Sequence, residues 1–154
     1  MAVVRVMLDT NIVIDYLNER NPFYRRARVL MIGGRVGEFD LWLSSSQMTD
    51  LVYILSEGGK AALMPRTLER LRGLRTFVNV YPLSEGDIDQ MLATSWRDPE
   101  DALLLQAALR VKADYLVTRN AEDFESSLVP IVDCDGFFDA LREDCGFEYD
   151  KVLF

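Results

Sequence analysis

Apolar residues recur along this chain with two different periods, and the switches between them mark its elements. "VVRVML" (3–8) is a short apolar run of the kind a buried strand shows, and it stops abruptly at Asp9. Helical spacing follows from Asn11 to Leu17, and Asn21-Pro22 reads as an N-cap and first residue of a helix running toward Gly33 or Gly37. "DLWLS" (40–44) alternates polar and apolar positions as a second strand, and a helix from about Gln47 to Ser56 ends at Gly58-Gly59. An arginine-bearing helix runs from Pro65 to about Leu74, and "TFVNVYP" (76–82) is strand-like. Ser84 and Asp87 form a helix start signal ahead of Ile88, Met91 and Leu92. "RDPEDALLLQAALRVKA" is the clearest helix, "DYLVT" (114–118) and "VPIVD" (129–133) are strands, and "GFFDALRE" is a last helix.

Strands alternate with helices throughout, without an internal repeat or linker. The pattern predicts an α/β fold, one domain over residues 1–154, with a central mostly parallel sheet flanked by helices. Ligands of such sheets gather beyond the carboxyl ends of the strands. Asp9 stands at one such end, and Thr118, Asn120 and Asp123 stand just past another.

Composition narrows the chemistry. The 154 residues carry a formal charge of −8 and no histidine. Histidine-based hydrolases and most zinc chemistry are thereby excluded. Cys134 and Cys145 lie outside any metal-ligand spacing, so a reduced cytoplasmic protein is expected, with no disulfide required. No signal peptide or membrane-length apolar run is visible. An acidic chain does not usually bind nucleic acid, but the distribution of charge matters more than its sum. Arg20, Arg25, Arg26, Arg28 and Arg35 form one basic stretch, and Lys60, Arg66, Arg70, Arg72 and Arg75 another. Each is read either as a solvated helix face or as a basic rim around an acidic centre.

Every acid has a plain structural explanation beside a chemical one. Asp9 fits an N-cap. Asp15, four residues after Asn11, is either a solvated acid, one that supports the site, or a ligand. Asp98 precedes Pro99 and fits a cap, and Asp101 falls where an acid favours the helix dipole. Asp50, among Leu51, Val52, Ile54 and Leu55, fits either a helix-to-helix ion pair or an aimed ligand, and Asp123 fits a turn cap. Capping gives no reason for all of them to sit at strand ends and helix starts. Carboxylates sharing one pocket repel unless a cation joins them. Oxygen ligands without His or Cys favour Mg²⁺ or Mn²⁺.

"LDTNIVIDYL", the "TD" of "SSSQMTDLVYIL", "DPEDALLLQAA" and "LVTRNAEDF", in that order, resemble the PIN-domain family, and especially its stand-alone VapC-like toxins. The resemblance implies a three-layer sandwich and a Mg²⁺- or Mn²⁺-dependent ribonuclease using metal-activated water. It implies Asp9, Asp50, Asp101 and Asp123 as catalytic metal ligands, with Thr10, Asn11, Asp98, Thr118 and Asn120 as the groups holding them. The second acid is more often Glu in that family, and some members carry Asp where Asn120 stands here. The implied partners are an RNA substrate, an antitoxin of a type II toxin–antitoxin pair and a second copy in a homodimer. An antitoxin would lie along apolar grooves between the basic helices, and Phe23, Tyr24, Tyr53 and Tyr149 are read either as part of such grooves or as core packing. Two other readings stay open: a non-catalytic RNA- or protein-binding module of the same fold, and a housekeeping RNA-processing nuclease. A phosphatase of the haloacid dehalogenase type is disfavoured, because Asn11 stands where that chemistry needs a second Asp.

Overall fold

The central strands alternate their burial, and that alternation divides the molecule into layers. In a computed structural model describing residues 2–125 and 128–145, β1 (Val4–Leu8) points Val6 and Leu8 to one face and Met7 to the other, all fully buried. Val6 and Leu8 join Leu41 and Leu43 of β2 (Phe39–Ser44) and Val78 of β3 (Val78–Tyr81) in the larger core. That core is closed by α1 (Thr10–Leu17), α2 (Tyr24–Arg35), α3 (Ser45–Leu55), α4 (Met64–Arg75) and α7 (Cys134–Cys145). Met7 and Leu116 of β4 (Tyr115–Val117) join Leu104, Leu105, Ala107 and Ala108 of α6 (Pro99–Arg110) in a second core on the opposite face. Burying each such Leu or Met contributes about 2 kcal/mol, so both faces must be covered. The result is three layers.

The sheet order is β3-β2-β1-β4-β5, where β5 is Ile131–Val132, and every pairing among the described residues is parallel. The chain leaves β1 toward β2 on one side and returns to its other side as β4. A crevice opens at such a reversal, beyond the carboxyl ends of β1, β2 and β4. Two glycines let α2 lie close on β2: a Cβ at Gly33 would fall 2.3 Å from the Phe39 ring, and one at Gly34 would fall 2.3 Å from Leu41.

Sequence and structure part company before α2. Asn21 and Pro22 do not cap that helix. The Asn21-Pro22 peptide is cis and lies in a turn, and the helix starts at Tyr24 after Phe23, without a side-chain cap. Asp15 is not solvated. It is fully buried, with Arg119 Nε 3.0 Å and Arg20 Nε 3.7 Å from its carboxylate. Desolvation outweighs these two cations and raises its pKa above the usual carboxylate value. Arg119 also lies over the Phe23 ring at 4.2 Å, so the pair ties α1 to the turn after β4 and the approach to α2. Burial pushes the Cys134 thiol up to about 12, which makes it an inert core group. Tyr149 lies outside the described residues.

Candidate active site

Asp9 is the first residue beyond β1 and is only half-buried, while Leu8 before it is fully buried. Its backbone N–H continues the ladder to the Val117 carbonyl of β4 at 2.9 Å. Thr118, fully buried at the end of β4, donates its hydroxyl to Asp9 Oδ2 at 2.7 Å and accepts from the Asn120 N–H at 3.1 Å. Buried hydroxyls need such partners. The strand ends therefore fix one carboxylate oxygen of Asp9.

On the β2 side, Ser44 caps α3 through a capping box with Gln47. The helix carries Asp50 one turn further, exposed, into a cleft of about 290 Å³. Asp9, Thr10, Ser44, Ser46, Gln47 and Asp50 line one wall, and Ile88, Met91, Glu100, Asp101, Leu103 and Leu104 line the other. Asp98 caps α6 as expected, accepting from the backbone N–H groups of Glu100 and Asp101 at 2.9 and 3.4 Å. That cap sets Asp101 on the first turn, facing the cleft. The Asp101 pKa is raised to about 6, first by desolvation and then by the negative charges of Asp98, Asp9, Asp123 and Glu100.

Asp9, Asp50 and Asp101 thus arrive from three elements at one hollow, and none of them has an ion-pair partner among the described residues. Asp123 sits on an exposed 3₁₀ turn (Ala121–Asp123), close enough to repel Asp101 but outside the cleft lining. Asn120 is exposed beside it, and the Asn11 side chain makes no hydrogen bond among the described residues. As placed, no three acidic, His or Cys groups among the described residues form a ready-made metal cage.

A family model described as a PIN domain matches residues 5–122, most of the chain and all of the cleft. This chain belongs to the PIN-domain family. No curated protein matches it. Solved structures with the same fold include a toxin–antitoxin complex from Klebsiella pneumoniae, 21% identical over 84% of this chain and 97% of that one, with a TM-score of 0.59. FitAcB from Neisseria gonorrhoeae is 17% identical over 84% and 97%, with a TM-score of 0.61. VapBC2 from Rickettsia felis, bound to a DNA fragment from its promoter, is 17% identical over 83% and 97%, with a TM-score of 0.57.

This PIN domain holds groups that the sequence pattern did not single out. Glu100 brings another carboxylate to the cleft wall, and Gln47, Ser44 and Ser46 bring neutral polar groups. Glu100 carries no sequence signal of its own, since any acid in a first helical turn is explained by the helix dipole. The basic rim is thinner than the arginine count suggests. Arg70 donates to the Leu17 carbonyl and to Asn18, and Arg75 donates to the Val78 carbonyl. Arg26 pairs with Asp135 at 3.1 Å, and Arg35 lies over Phe77. These arginines are partly fold-holding groups, because a guanidinium satisfies several acceptors at once. Tyr24 stacks on Tyr16, whereas Tyr53 is 65% exposed.

Proposed function

We propose that the cleft is the active site of a divalent-metal-dependent ribonuclease, with Asp9, Asp50 and Asp101 as catalytic ligands and Asp123 completing the group. The observation that carries this reading is the shared hollow of Asp9, Asp50 and Asp101, which lacks any pairing cation among the described residues while Asp101 is held at a pKa of about 6. The donor set fits Mg²⁺ or Mn²⁺, because it is oxygen-only and over-rich in negative charge. Bound there, the ion supplies Lewis-acid charge at a phosphodiester and lowers the pKa of a water.

The chain's own groups do the positioning. Thr118 holds Asp9 Oδ2, and Oδ1 makes no hydrogen bond among the described residues. The Asp98 cap holds the first turn of α6 and with it Asp101. Thr10, Asn11 and Asn120 stand near the strand ends as further polar supports. The buried Leu103 and Leu104 give the cleft a low-dielectric side beside Asp101. RNA is the substrate this reading assigns, with phosphates met by exposed arginines such as Arg25, Arg66 and Arg72.

The wider role proposed is that of a cytoplasmic toxin of a toxin–antitoxin pair, acting as a homodimer. Its support is the likeness to toxin–antitoxin structures and an apolar groove between α3 and α4. Met48, Val52, Leu68 and Leu71 line that groove, with Arg72 and Arg75 at its rim. An amphipathic antitoxin segment fits such a surface. No helix among the described residues is long and apolar enough to cross a membrane.

The test is cleavage of structured and single-stranded RNA with and without Mn²⁺, comparing the wild type with Asp9→Asn. Metal-dependent cleavage that the substitution abolishes, with the far-UV spectrum unchanged, is expected. Equal cleavage by both proteins would overturn the assignment.

A further inference from the structure

Gln47 is 6% exposed, and its side-chain amide is bonded at both ends. Its Oε1 accepts from the Ser44 N–H at 2.8 Å, which is half of the capping box at the start of α3. Its Nε2 does something a cap does not require. It donates to the Leu8 carbonyl at 2.8 Å and to Thr10 Oγ1 at 3.2 Å, on either side of Asp9. One amide therefore joins the end of β2 and the start of α3, which carries Asp50, to the peptide that leads into Asp9.

The chemistry of the side chain is specific. Glu is a standard residue at this position of a capping box and would satisfy Ser44 equally well. A carboxylate, however, has no donor for the Leu8 carbonyl, and Asn is one methylene too short to span from α3 to β1. Because Thr10 Oγ1 accepts from Gln47, the Thr10 hydroxyl proton stays free to donate into the cleft that Thr10 lines.

We propose that Gln47 is a positioning residue of the active site, fixing the spacing between Asp9 and Asp50 and the direction of the Thr10 hydroxyl. This rests on the cleft being the metal-dependent site. Gln47 touches no reacting atom in this scheme and acts through the residues it bonds.

The experiment uses the full chain, Mn²⁺ and single-stranded RNA, with Gln47→Glu and Gln47→Met beside the wild type and Asp9→Asn. Gln47→Glu keeps the cap and loses the donor. Its single-turnover cleavage rate at saturating Mn²⁺ is expected to fall about tenfold or more, with the KM for RNA unchanged. Gln47→Met, folded by circular dichroism, is expected to bind Mn²⁺ about 10- to 100-fold more weakly by calorimetry. Wild-type rate in Gln47→Glu, or wild-type Mn²⁺ affinity in Gln47→Met, would reduce Gln47 to a helix cap and overturn the proposal. If Asp9→Asn is inactive in the same experiment, the reading of the cleft survives that result. A wild type that neither binds Mn²⁺ nor cleaves RNA would overturn both.

Discussion

Replacing Asp101 with Asn is expected to make the protein without metal more stable at neutral pH, although it removes a proposed ligand. The Asp101 pKa rises from 3.8 to about 6 in the fold, because burial and the charges of Asp98, Asp9, Asp123 and Glu100 all oppose ionisation. Its folded value lies above its unfolded value, so the native state binds the extra proton between about pH 4 and pH 6. The penalty is therefore absent below the unfolded value, grows as pH rises through about 6, and is constant above it. A two-unit shift corresponds to about 3 kcal/mol as an upper bound. Asp101 is only half-buried, and solvent screening reduces this to about 1–2 kcal/mol. The favourable effect of a negative charge at a helix N-terminus, roughly 0.5 kcal/mol, is smaller and does not reverse the sign. For a chain of this size the gain corresponds to a rise in Tm of about 3–6 °C. The assay is thermal melting in chelator from pH 4.5 to 8. The two curves should lie close together at the acid end, diverge as pH rises toward 6 and keep a constant gap above it, with Asp101→Asn higher. Saturating Mn²⁺ should raise the wild-type Tm at pH 7.5, far less at pH 5, and that of Asp101→Asn little at either pH. An Asn variant that melts at or below the wild type across the whole range without metal would refute the shared negative hollow.

Two further outcomes test how the cleft is built. Asp87 is fully buried and accepts from Tyr81 Oη at 2.6 Å, from Ser84 and from Arg110 Nε at 3.0 Å, which together hold its pKa well below the usual carboxylate value against desolvation. Asp87→Ala should cost about 3 kcal/mol in urea denaturation at pH 7, since it releases both α5 (Glu85–Ala93) and its tie to α6. Equal midpoints for variant and wild type would show that the network is not stabilising. Gly33→Ala should cost about 1–3 kcal/mol by the same measurement, because its Cβ meets the Phe39 ring at 2.3 Å. An unchanged midpoint would mean that α2 moves off β2 freely.

The apolar patterning of the chain was enough to determine the alternating elements, the parallel sheet and the order of the acids. "VRVML" must be buried on both faces, and "PEDALLLQAALR" carries its own cap and apolar stripe, so local chemistry fixed these elements. The start of the helix bearing "YRRARVL" differs from the expectation because Asn-Pro is as suited to a turn as to a helix start, and only long-range packing distinguishes them. Asp15 shows the same limit. Its spacing from Asn11 placed it on a helical face, but Arg119, far away in sequence, decided that it would be a buried ion pair. Whether Asp9 and Asp101 were caps or companions, and Asp50 an ion-pair partner or a companion, depended on the strand order, which no local rule supplies. Only the sheet's reversal at β1, with β2 on one side and β4 on the other, sets them around a single hollow. Gln47 was unreadable for the same reason: one end of its amide obeys a rule written within four residues, and the other bonds a carbonyl 39 positions away.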